Sequence, residues 1–199
     1  MTIHWLLFLV AAVLLSVPAF LPPTMNRRLS QGRRIFPPTV FGMLRAWPNW
    51  LDVARAGAGT YLLTGPALTV DPQAVGAEFT ALCVRFGVLV LGLLIQTVRF
   101  KTEVVFLSPI FYLCGLTLVL PGYEVGGFAV FVGWLFAAGG KNPAYQLPAM
   151  GVAAAAGGYF LSGLNLPLMM AVALIFVPPV LGQLFRKPLV FVAEQRETA

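Results

Sequence analysis

Six long apolar runs, each bounded by charged or turn-forming residues, set the pattern of the chain: Ile3–Leu21, Phe79–Val98, Val104–Leu120, Val125–Gly140, Tyr145–Gly163 and Leu166–Phe185. A helix rises 1.5 Å per residue, so about 20 apolar residues cover the hydrocarbon core of a bilayer. A seventh, weaker stretch runs from about Trp50 to Val70, and its apolar part is confined to the second half. The pattern predicts an all-α fold, a polytopic transmembrane helix bundle of six to seven spans forming one domain over 1–199.

Charge placement decides whether the weak stretch crosses. Arg27, Arg28, Arg33, Arg34 and Arg45 follow the first run, and the next basic clusters are Arg99 with Lys101, Lys141, Arg186 with Lys187, and Arg196. Asp71, Glu78 and Glu124 lie in the loops between. If residues 50–70 cross, every Lys and Arg outside the spans falls on one face and these acids fall on the other. If they do not, the arginine-rich loop and the Arg99 cluster land on opposite faces, against the positive-inside rule. The expected topology is therefore seven spans, N-terminus out and C-terminus in, with a re-entrant 50–70 segment as the fallback.

Composition agrees. Apolar residues make up 59% of the 199 and charged residues 10%, against about 25% charged in a soluble domain. A water-facing surface cannot be assembled from so few charges. The formal charge of +6 sits at the ends of apolar runs and forms no groove-sized patch, which excludes nucleic acid as a partner. The expected location is a bacterial-type inner (plasma) membrane, multi-pass. The n-region MTIHW carries no Lys or Arg and the positive charge follows the run, so Ile3–Leu21 reads as an uncleaved anchor.

Loop 22–49 is basic in front and interleaves aromatics, prolines and Arg45 behind. Tryptophan beside arginine in a short amphipathic segment suits the headgroup layer. Arg27, Arg28, Arg33, Arg34, Arg45, Trp47 and Trp50 are therefore candidate lipid-interface residues, with anionic headgroups as the partner. A faint echo of Ser108–Leu113 in Asn142–Leu147 hints at a duplicated hairpin and says nothing of function.

Chemistry is sparse. The only histidine is His4, and neither Cys83 nor Cys114 has a CxxC partner or nearby His. No G-x-S-x-G elbow, H-E-x-x-H helix or phosphate-cradling glycine loop occurs, so no catalytic, metal or cofactor residues are expected. Arg85 is the ionisable residue that stands out inside a strong span, with Glu78 two turns earlier as a possible mate. It reads either as a snorkelling arginine or as an anion-binding residue facing the bundle interior. The small-residue runs around Gly57 and Gly59, and around Gly157 and Gly158, permit close helix packing. With Tyr61, Thr64 and Tyr159 they also suit a pathway through glycine-interrupted helices. Pro178-Pro179 and Pro109 are expected to kink or shape their spans.

The expected role is a non-catalytic accessory, anchoring or assembly subunit of a membrane complex, partnered by another membrane protein or by a second copy. The rival is a small transporter or channel for a small or anionic solute, with Arg85 near its pathway. A lipid-modifying intramembrane enzyme is third, because acid–base groups are missing. Polar residues converging inside the bundle mark the transporter, an apolar small-residue face on the outside marks the subunit, and a basic headgroup-level pocket with a carboxylate marks the enzyme.

Overall fold

The computed structural model describes residues 2–17, 40–45, 47–70, 76–100, 104–106 and 108–186. Among these residues 83% are helical, in eight helices, so the fold is all-α in class. These are α1 (Trp5–Ser16), α2 (Val40–Arg45), α3 (Trp47–Thr64), α4 (Ala77–Thr97), α5 (Ile110–Val119), α6 (Tyr123–Gly139), α7 (Gln146–Ser162) and α8 (Leu166–Leu184). Among the described residues two small two-stranded antiparallel sheets accompany them: β1 (Thr2–Ile3) with β2 (Leu68–Thr69), distant in sequence, and the hairpin β3 (Val98–Phe100) with β4 (Val104–Phe106).

Helix limits follow local chemistry. The α1 helix stops at Ser16, short of the expected Leu21, and Val17 is extended because Pro18 disfavours a helical residue before it. The expected span 104–120 divides in two. Val104–Phe106 pairs with Val98–Phe100, and the helix starts only after Pro109, which serves as its N-cap residue. β-branched Val104 and Val105 suit a strand, and a proline at the helix start sacrifices no hydrogen bond. The weak stretch is helical from Trp47 to Thr64, beginning three residues earlier than expected. Asn165 caps α8, its Oδ1 accepting the Leu168 N–H at 2.8 Å, and the helix continues through Pro178 and Pro179.

Among the described residues two helices, α4 and α8, are long and apolar enough to cross a membrane, while α1, α5 and α6 are shorter apolar helices. α3 carries Asn49, Asp52 and Arg55 among its apolar positions. Each of the seven expected spans contains a helix, but the lengths alone support two crossings.

Close contacts fix the helix directions. Gly59 meets Leu15 and the His4 N–H donates to Ala67, so α1 runs antiparallel to α3. Gly57 faces Val119, Gly115 faces Val53 and Ala56, and Trp50 faces Phe111, so α3 and α5 run parallel. Gly126 against Thr117, Gly133 against Met150 and Gly158 against Leu168 make α5 through α8 alternate. One end of the bundle thus gathers β1–β2, Glu78 and Glu124, and the other gathers Arg45, Lys141, Arg186 and β3–β4. The core is centred on α5, buried at every residue from Ile110 to Thr117.

Candidate functional site

The most charged interior point lies where α3 and α5 cross. Gly115 makes the crossing possible, because a Cβ there would collide with the Val53 carbonyl oxygen and approach the Ala56 Cβ to 2.8 Å. Backbones this close leave Asp52 and Arg55, one turn apart on α3, held against the first turn of α5. Arg55 Nη2 donates to Asp52 Oδ1 at 2.5 Å, and their side chains keep only 14% and 24% of their surface exposed. The guanidinium carbon lies 5.7 Å from the ring centroid of fully buried Tyr112, within cation–π range. Arg55 Nε and Nη1 and the Tyr112 hydroxyl are buried without a hydrogen-bond partner.

More polar groups surround this centre on α5 and α7. Gln146, fully buried at the start of α7, donates through Nε2 to Cys114 Sγ at 3.3 Å and to Met150 Sδ at 3.6 Å. Its Oε1 and Thr117 Oγ1 are buried and unpartnered. Gln96 near the end of α4 reaches the carbonyls of Leu15 and Val17 at 3.5 and 3.3 Å, serving acceptors left at the end of α1.

The residues singled out from sequence lie elsewhere. Arg85 does not meet Glu78, which is exposed; its Nη2 donates to the Leu68 carbonyl at 2.7 Å and so ties α4 to β2. Gly57 and Gly59 pack on α5 and α1, whereas Gly157 meets Phe128 of α6 and Gly158 meets Leu168 of α8. The two small-residue runs therefore line separate helix contacts. Tyr61 and Tyr159 point outward, 64% and 56% exposed, and the Thr64 hydroxyl bonds back to the Thr60 carbonyl. Arg45, Trp47 and Trp50 are exposed, with Trp50 Nε1 donating to the Leu44 carbonyl and its ring set edge-on to Phe111, centroids 6.2 Å apart. Arg27, Arg28, Arg33 and Arg34 lie outside the described residues. Among the described residues, no three His, Cys, Asp or Glu side chains come together as a metal site would require.

Sequence reading missed Asp52 and Arg55 because it placed them at the mouth of a weak span. The spacing D-x-x-R inside a helix, which stacks opposite charges on one face, was the available signal. Nothing in the sequence pointed to Tyr112, whose role depends on the α3–α5 crossing. Comparison of this chain with protein-family models, with curated proteins and with solved structures finds no match.

Proposed function

We propose that this chain is a multi-pass inner-membrane protein of seven spans, N-terminus out and C-terminus in, that serves as a non-catalytic assembly or anchoring subunit. The observation that carries this reading is the outer surface of α4. It is 21 residues long and apolar, yet only 22% of its apolar stretch is buried in the fold. Phe79, Cys83, Gly87, Leu91 and Ile95 form an exposed ladder at i, i+4 spacing along it. Leaving a Phe or Leu in water forgoes about 1.5–3 kcal/mol each, so lipid or another helix is the natural surrounding. Separation of Arg45, Lys141 and Arg186 from Glu78 and Glu124 by the length of the bundle supports the orientation.

Within the ladder, Cys83 and Gly87 are a small-xxx-small pair, and nothing lies within 4 Å of where a Cβ on Gly87 would stand. Such a face lets a partner backbone approach closely in lipid. The test is native mass measurement after mild-detergent extraction, wild type beside Gly87→Leu. A defined complex that Gly87→Leu disperses is the expected result. A monomer in both, with Cys83 fully alkylated in intact membranes, would remove the assembly role.

A second reading, a small transporter or channel, draws support from the polar interior at Asp52, Arg55, Tyr112 and Gln146. In it Arg55, rather than Arg85, stands near the pathway.

A further inference from the structure

We infer that the Asp52–Arg55–Tyr112 centre binds an oxyanion, a phosphate or carboxylate group, arriving from the basic end of the bundle. A guanidinium offers five N–H donors and no acceptor. Here Nη2 is engaged by Asp52, while Nε and Nη1 are buried with no acceptor from the protein. Charge-bearing donors left unmatched in an interior are costly, and folded proteins satisfy nearly all of them. The Tyr112 ring lies under the guanidinium, and its hydroxyl, turned toward Gly92 of α4, is likewise unpartnered. Every unmet need on Arg55 is a donor, so its complement is a group made of acceptors. A cation finds no acceptor on the guanidinium, and a neutral polyol brings donors that Arg55 cannot accept.

Two further features suit a ligand site. The guanidinium head is pre-positioned, held by Asp52 on one edge and by the Tyr112 ring on its face. The side chain as a whole keeps 14% of its surface open while Nε and Nη1 are closed off, so the anion reaches them as the α3–α5 contact loosens. Asp52 already balances the charge, so the anion binds exchangeably and is no permanent structural ion. Arg55 lies eight residues from Trp47, about 12 Å along the helix from the basic end at 1.5 Å per residue. At that depth the oxyanion comes either from a small solute or from the headgroup phosphate of an anionic lipid. Only the lipid source rests on the seven-span reading. Binding of free phosphate by detergent-solubilised protein does not, so the two ideas fail separately.

The experiment uses the full chain in mild detergent. Inorganic phosphate is titrated against tryptophan fluorescence, since Trp50 packs on Phe111 beside the centre. In parallel, protein reconstituted with phosphatidylglycerol is delipidated and its retained phosphorus and native mass are measured. The expected result is a saturable phosphate response, or one retained phosphatidylglycerol per chain. The first assigns a soluble anion and the second a headgroup. Arg55→Gln should weaken whichever is seen by about tenfold or more. Arg55→Lys should weaken it too, because the ammonium keeps the charge but loses the Nε donor and the planar fork. Lys141→Gln, a change at an exposed cation of the basic end, should leave it intact. Wild-type protein that binds neither phosphate nor phosphatidylglycerol overturns the proposal. So does a folded Arg55→Lys that binds as well as wild type, which decides the matter if Arg55→Gln does not fold.

Discussion

Replacing Gly115 with alanine adds one methyl at the tightest point between α3 and α5. The new Cβ would collide with the Val53 carbonyl oxygen and stand 2.8 Å from the Ala56 Cβ and 3.0 Å from the Gly57 nitrogen. Two of these three atoms are backbone and cannot rotate away, so the helices must separate. Overpacking of this kind costs about 1–3 kcal/mol, partly offset by the better helix propensity of alanine, worth about 1 kcal/mol in a helix interior. The two contributions leave a net loss of up to about 2 kcal/mol, and the clash alone, about 1–3 kcal/mol, separates this variant from an alanine that meets no neighbour. Gly87 is the matched control, because nothing lies within 4 Å of its Cβ position. Gly87→Ala keeps the propensity gain without the clash. Cys114 provides the readout: it is buried beside Gly115, while Cys83 is exposed. In a Cys83→Ser background, a thiol-reactive fluorophore therefore reports unfolding by capturing Cys114. At about 2–4 °C per kcal/mol for a chain of this size, Gly115→Ala should melt several degrees below Gly87→Ala, which melts at or above the parent. A Gly115→Ala protein that melts with or above Gly87→Ala would refute the close α3–α5 crossing.

Three further outcomes are expected. In a background without native cysteines, Glu124→Cys should react with an impermeant maleimide from outside and Lys141→Cys only after permeabilisation; the reverse pattern would mean that residues 50–70 do not cross. Arg85→Lys keeps a donor for the Leu68 carbonyl, so hydrogen exchange at Thr2–His4 should stay near wild type, whereas Arg85→Leu should speed it by freeing β2 from α4; equal exchange in both would deny Arg85 its anchoring role. Asp52→Asn leaves the Arg55 charge buried without its carboxylate and should cost about 3 kcal/mol, while Asp52→Asn with Arg55→Gln should recover most of that loss in the same thermal assay; additive losses would show that the pair is not coupled.

The apolar runs and their charged borders made the helical class and the approximate place of every described helix but α2 legible, because each run is long enough for a helix and ends in residues that break or cap one; α2 lies in the stretch 22–49 read as a loop. Helix ends were less legible. The stretch 104–120 is apolar throughout, and periodicity does not separate a buried strand from a buried helix in so short a run. Val104, Val105 and Pro109 settle it locally, and pairing with Val98–Phe100 completes it. At α1, Pro18 curtails a run whose composition alone suggested five more residues.

What the sequence by itself determined is the inventory: seven helical stretches, a polarity of charge along the chain, and a near absence of acid–base chemistry. What only the tertiary structure decided is which residues meet. Gly57 and Gly157 look alike in sequence, yet each packs against a different helix. Arg85 looked like the charge to explain, and a strand carbonyl takes its Nη2 while its Nε stays buried without a partner. Arg55 read as the mouth of a weak span, and only the parallel packing of α5 on α3 lays Tyr112 against it, across 57 residues of chain. Helices that are apolar on nearly every face carry no stripe to say which side turns inward. That choice belongs to backbone approach at glycines such as Gly115, which depends on partners distant in sequence.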